Sequence, residues 1–335
     1  PGVRSGTMWN REGQRVPAVR TQPGSMLPVE QFLDEGIGVA TMYYGDIEPD
    51  FAGGLKNGIR GHYLNSGEEA PAVDEWGAIA AWAWGLSGAM DYLETDPGVD
   101  ARKVALFGVS RLGKTVLWAG ASDPRFGMVI ASCSGEGGAA LSRRHFGETI
   151  AHMTAPSRYH YQFCANRATY GGDPSLSPVD AHMLIALMAP RPLLLQTGDT
   201  DLWSDPKGEW LALKAAQPVY QLLGQAGPAE TDLPPAGIPL LSRLGYTMHA
   251  GGHGTLPEEY EVFIRYMKKH FSENSLPPLF GQGVVAADDP LRRTFISPVR
   301  VMWSSDTTGM RVKNREVLLN PGNSQSEITQ RPLFC

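Results

Sequence analysis

Hydrophobic positions fall into two kinds of segment along this chain. Short, nearly continuous apolar runs at residues 38–44, 104–109, 128–132, 192–197 and 244–249 are bounded by glycine, proline or polar residues. Strands buried on both faces have that length and those boundaries. Helical patterns occur at 29–35, 74–94, 114–121 and 257–270, the second rich in Ala and Trp. Their alternation predicts an α/β fold with a mostly parallel, doubly wound sheet. Residues 140–189 break the pattern, being irregular and rich in His, Tyr, Arg and Pro. Such a stretch suits an insertion capping the carboxyl edge of the sheet, where ligands bind in these folds.

The run at 104–109 leads into Ser110-Arg111-Leu112-Gly113-Lys114-Thr115, and two chemistries fit those letters. As a phosphate loop, residues 108–115 match G-x-x-x-x-G-K-[ST], whose N–H groups, lysine and hydroxyl surround a nucleotide and its magnesium. As a nucleophile elbow, Ser110 sits on a tight strand-to-helix turn, with Gly108 and Gly113 leaving room for the backbone. An elbow requires an acid after a later strand and a histidine after the last one. Residues 192–197 run into Gly198-Asp199-Thr200-Asp201-Leu202-Trp203, and 244–249 lead into Gly251-Gly252-His253-Gly254-Thr255. A phosphate loop would instead be followed by a strand ending in a magnesium-binding Asp, whereas 128–132 ends in Cys133. The order favours Ser110 as nucleophile, His253 as base and Asp201 as acid, with His249 a strand-end alternative to His253.

Composition sets bounds. The 335 residues are 42% hydrophobic and 19% charged, enough for a large core in one α/β domain plus an extra piece. A formal net charge of −6 with no basic run argues against nucleic-acid binding. No apolar stretch is long enough to cross a membrane as a helix. Cys133, Cys164 and Cys335 make no disulfide framework. His145, His152, His160 and His182 lack a ligand spacing, so no metal is expected. Trp76, Trp82 and Trp84, interleaved with Ala, read as packing residues.

The segment Asp74-Glu75-Trp76-Gly77-Ala78-Ile79-Ala80-Ala81-Trp82-Ala83-Trp84 and the elbow Gly108-Val109-Ser110-Arg111-Leu112-Gly113-Lys114 resemble the glucuronoyl esterases of carbohydrate esterase family 15, especially its bacterial members. Ser134-Gly135-Glu136-Gly137-Gly138, Pro178-Val179-Asp180-Ala181-His182, Ala189-Pro190-Arg191-Pro192 and Asp201-Leu202-Trp203 agree with it. The likeness covers residues 32–271, and its Ser-Arg-x-Gly-Lys core is more specific than a bare G-x-S. It implies an α/β-hydrolase fold, no cofactor, and cleavage of esters joining glucuronic acid groups of xylan to lignin alcohols. Arg111 follows the nucleophile, so its N–H can face the oxyanion while its guanidinium adds charge; the resemblance implies the same role. It also implies sugar binding by Lys114, Glu148 and Trp203, a secreted or periplasmic location, and possible fusion to further carbohydrate-active domains.

One position departs from the family pattern. Many members carry Glu just before the Ser-Gly-x-Gly-Gly turn, where this chain has Cys133, and a thiol at neutral pH is a poor anionic partner for imidazolium. Some bacterial members are similar in taking the acid from the later loop, which favours Asp201 over Asp199, Asp205 and Glu136. Another carbohydrate esterase activity, such as xylan deacetylation, and xylan binding without catalysis are the alternative functions.

The ends are expected to be incomplete. Few residues precede the run at 38–44, so the opening strands of the hydrolase sheet, with a second oxyanion donor, are expected to be missing. Residues 1–274 are assigned to the hydrolase domain, 275–297 to a linker, and 298–335 to the start of an incomplete β-rich domain.

Overall fold

The computed structural model describes residues 7–10, 12–17 and 27–272. The linker and β-rich domain assigned to 275–335 lie outside the described residues. An antiparallel hairpin, β1 (Thr7–Trp9) with β2 (Arg15–Pro17), comes first. Three-residue strands are too short to show a hydrophobic period, which is why the sequence did not announce them. The main sheet contains β3 (Ala105–Val109), β4 (Met128–Ser132), β5 (Leu193–Gly198) and β6 (Leu244–His249) in that order, every pair parallel. Around it stand α1 (Val29–Asp34), α2 (Ile59–His62), α3 (Ala78–Leu93), α4 (Arg111–Ser122), α5 (Ile150–Met153), α6 (Ala181–Ala186), α7 (Pro206–Leu222) and α8 (Pro257–Ser272).

Strand alternation divides the core into two layers, as the two-residue side-chain period requires. Val129 and Ala131 of β4, Leu193 and Leu195 of β5, and Leu244, Tyr246 and Met248 of β6 pack with α3, α4, α6 and α7. Met128, Ile130 and Leu194 face the other way, onto Phe32 of α1 and Tyr260, Phe263, Ile264 and Tyr266 of α8. These strands are buried on both faces, hence their continuous apolar runs. The result is a helix–sheet–helix sandwich around a parallel sheet.

Two elements differ from the sequence expectation. Residues 38–44 form no strand; they run irregularly into a 3-10 turn at Tyr44–Asp46. Ala40, Thr41 and Met42 are exposed there, and an apolar run becomes a strand only where a partner can satisfy its backbone groups. The helix expected over 74–94 begins later, at Ala78. Gly77 precedes it with extended geometry, and a Cβ there would lie 2.3 Å from the Gln162 carbonyl oxygen. That contact lets the insertion close against the start of α3. The insertion itself, residues 140–189, is built of short 3-10 turns with α5 and α6.

Candidate active site

Ser110 alone separates β3 from α4, with φ 60° and ψ −123°. A left-handed conformation is costly for a residue with a Cβ, and the surroundings enforce it. The Ser110 N–H donates to the Ser132 carbonyl (2.8 Å), continuing the β3–β4 ladder, while the Lys114 N–H already donates to the Ser110 carbonyl (3.1 Å). A Cβ on Gly108 would sit 2.2 Å from the Leu112 carbonyl oxygen, and one on Gly113 would sit 2.8 Å from that of Ser132. Both glycines are therefore demanded by the closeness of the turn. This geometry removes the phosphate-loop reading, because a single residue cannot wrap a phosphate. Lys114 is also buried and paired with Glu148 at 3.1 Å.

The later strand ends supply the charge pair. Asp201 follows β5 and His253 follows β6, with Asp201 Oδ2 2.7 Å from His253 Nδ1. Ser204 Oγ also lies 3.1 Å from that nitrogen, and the Ser204 N–H donates to Asp201 Oδ1 (3.3 Å). Burial tends to raise the Asp201 pKa, but the hydrogen bonds from His253 and Ser204 outweigh it and hold the carboxyl below its ordinary range. Neighbouring acids are otherwise engaged. Asp199 accepts from the Gly251 N–H (2.8 Å), tethering the histidine loop, and Asp205 pairs with Arg144 at 2.8 Å. Glu136 is buried against Arg167 and Ser142. His249 is buried between Glu259 (3.0 Å) and the Gly252 carbonyl (2.9 Å), away from the cleft.

A cavity of about 250 Å³ joins these parts, lined by Ser110, Arg111, Lys114, Glu148, Met153, Tyr159, Gln162, Asp201, Trp203 and His253. Ser110, Arg111, Lys114, Glu148, Asp201, Trp203 and His253, the residues preferred from the sequence, are all among them, whereas His249, Asp199, Asp205 and Glu136 are not. Glu148 and Trp203 share a wall because the Glu148 N–H donates to the Trp203 carbonyl (2.7 Å), and Gly147 permits the approach. Trp203 is 42% exposed at the cleft wall, with the His152 ring packed against it at a steep angle, centroids 4.5 Å apart. Arg111 lies over the Tyr159 ring, 5.3 Å from its centroid, and pairs with Asp50. Burial lowers the guanidinium pKa, yet the charge of Asp50 more than offsets this and the net shift is upward. Sequence reasoning missed Asp50, Tyr159, Gln162 and Ser204. Asp50 stands in Asp46-Ile47-Glu48-Pro49-Asp50, where nothing sets one acid apart from the next.

Cys133 follows β4 in a left-handed conformation, φ 44°. Its sulfur lies 3.5 Å from both the N and the O of Gly254. Burial pushes the thiol up to about 12, so it carries no charge at neutral pH. Among the described residues, Cys133, Asp201 and His253 bring three possible metal-donor atoms within 4.8 Å of one another. A protonated thiol and an Asp–His pair already satisfied by hydrogen bonding do not form a convincing ligand set. A larger cavity of about 390 Å³ runs along α3 and α4, walled by Trp76, Trp84, Trp118 and Phe163. It contains neither Ser110 nor His253, so chemistry rather than size locates the site. Trp82, by contrast, is buried in the core.

A strained serine at the carboxyl edge of a parallel sheet, with an acid and a histidine on the loops of later strands, is the arrangement of the α/β-hydrolases. Within that class the chain belongs to the glucuronoyl esterase family: the family described as "Glucuronyl esterase, fungi" matches residues 11–224. A carbohydrate esterase, MZ0003, from an unknown prokaryotic organism is 45% identical over 73% of this chain and 56% of its own length. The 4-O-methyl-glucuronoyl methylesterase 1 of Wolfiporia cocos is 33% identical over 56% of this chain and 47% of its own. Among solved structures, a glucuronoyl esterase from Solibacter usitatus superposes with a TM-score of 0.76 at 43% identity, covering 81% of this chain and 69% of that one. The chain thus spans about half the length of these curated relatives.

Proposed function

We propose that this chain hydrolyses glucuronoyl esters by a serine-based, cofactor-free mechanism. The observation that carries the reading is the joining, in one cleft, of Ser110, His253 and Asp201 with the buried Lys114–Glu148 pair and the partly exposed Trp203. Ser110 Oγ attacks the ester carbonyl as His253 Nε2 takes its proton; Asp201 keeps Nδ1 protonated and the ring oriented. The tetrahedral oxyanion collapses, His253 returns the proton to the departing alcohol, and a glucuronoyl–serine ester remains. Water, activated by the same histidine, then releases the uronate. Arg111 directs positive charge at the oxygen where negative charge develops.

The sugar side follows from donor and acceptor counting. The Lys114 ammonium has three donors and Glu148 occupies one of them, so the pair presents both donors and acceptors to sugar hydroxyls while Trp203 offers its ring face. The names of relatives such as the Wolfiporia cocos methylesterase support a 4-O-methyl-glucuronoyl group as the acyl part. We infer a lignin alcohol on xylan-borne glucuronate as the ester cleaved, and the size of such a polymer supports a secreted or periplasmic location. Competition between benzyl glucuronate and an acetylated xylo-oligosaccharide tests the reading. Preferred release of benzyl alcohol supports it; preferred release of acetate would make the chain a deacetylase, and binding without turnover of either would make it a binding module.

A further inference from the structure

One carboxylate beside the cleft has no place in the chemistry above. Asp50 is not among the cleft-lining residues, yet four side chains converge on it. Arg111 NH1 and Tyr44 OH (3.3 Å) donate to Oδ2, and Tyr161 OH (2.8 Å) and Gln162 Nε2 (2.9 Å) donate to Oδ1. Its side chain is 12% exposed. Two of these donors, Arg111 and Gln162, line the cleft themselves.

The loop that carries Asp50 is fixed from behind. Glu48, two residues earlier, forms a buried ion pair with Arg60 at 2.9 Å, and its carbonyl accepts from Trp82 Nε1 at 2.7 Å. Tyr44 packs edge-on against Trp82, centroids 4.9 Å apart. Asp50 is thereby anchored to α3 on one side and grips the elbow arginine and the capping insertion on the other.

Resting on the esterase reading, we propose that Asp50 is a positioning residue that aims the Arg111 guanidinium at the oxyanion and ties the capping insertion to the elbow. A guanidinium offers five donors in a rigid plane. Engaging NH1 from outside the cleft leaves the remaining donors to face the reacting carbonyl with their direction set beforehand. Preset direction is what makes such a donor effective, since it needs no reorganisation as charge develops. The Tyr161 and Gln162 bonds hold the carboxylate itself in one orientation.

A double-mutant cycle with benzyl glucuronate tests this, using the full chain, Asp50→Asn, Arg111→Ala and the double variant. Loss of one oxyanion donor typically costs about a hundredfold to a thousandfold in kcat, and Asp50→Asn, which misdirects rather than removes it, is expected to cost about tenfold to a hundredfold with KM little changed. In the Arg111→Ala background the same substitution should cost little, because there is no guanidinium left to aim and the asparagine oxygen still accepts from Tyr161 and Gln162. Equal losses in both backgrounds, or a loss that follows a lowered unfolding midpoint, would make Asp50 a merely structural residue and overturn the inference. An unmodified chain that is folded but silent would remove the esterase reading, and this one with it; an active chain indifferent to Asp50→Asn would remove this one alone.

Discussion

Four residues stand where strands of the sheet end, and their chemistry is set by surroundings more than by type. Ser110, Cys133, Asp201 and His253 follow β3, β4, β5 and β6 respectively. Cys133 and Asp201 both approach His253, yet burial keeps the thiol neutral while hydrogen bonds keep the carboxyl ionised. Cys133→Ala should accordingly leave the turnover rate little changed, and the native thiol should resist alkylation at neutral pH until the protein unfolds, as read by intact mass. Loss of turnover in Cys133→Ala would give the sulfur a part in the reaction. The chain order of Ser110, Asp201 and His253 was legible because the elbow logic fixes where each must fall. Asp50 was not: its partners Arg111 and Tyr161 are 61 and 111 residues away, and only the fold brings them together.

At the scale of elements, α7 supports the turn that follows β4. Its Glu209 is fully buried and accepts from the Gly135 N–H (2.7 Å) and Ser134 Oγ (3.1 Å). Burial pushes the Glu209 carboxyl up to about 8, with Asp201 adding to the shift and Gly135, Ser134 and Lys114 opposing it. The folded state therefore retains a proton that the unfolded chain releases at about 4.3. Stability from this group is fully present below that value and is lost as pH rises towards 8. Thermal midpoints should show Glu209→Gln gaining on the native protein between pH 5 and pH 8; a gap that stays constant would contradict the assignment. The strands at 128–132 and 244–249 were readable to the residue, since burial on both faces demands unbroken apolar runs. Residues 38–44 misled for the same reason: an apolar run looks alike whether or not a neighbouring edge exists to pair with it.

At the scale of the molecule, the helix–sheet–helix sandwich brings Ser110, Asp201 and His253, far apart in sequence, to one edge and leaves the capping insertion to shape the cleft. The class could be read from local patterns and from the family resemblance, and so could the set Ser110, Asp201, His253, Lys114, Glu148 and Trp203 that lines one cleft. The clasp among Asp50, Arg111, Tyr161 and Gln162 could not, because it joins an irregular loop to an irregular insertion. The central claim is that Ser110 is a nucleophile driven by an Asp201–His253 pair, and benzyl glucuronate turnover by the chain, Ser110→Ala and Asp201→Asn tests it most directly. The account predicts that Ser110→Ala abolishes turnover and that Asp201→Asn lowers it by about 10⁴-fold, both with unchanged folding. Full activity in Ser110→Ala, or an Asp201→Asn variant as fast as the native chain, would contradict it.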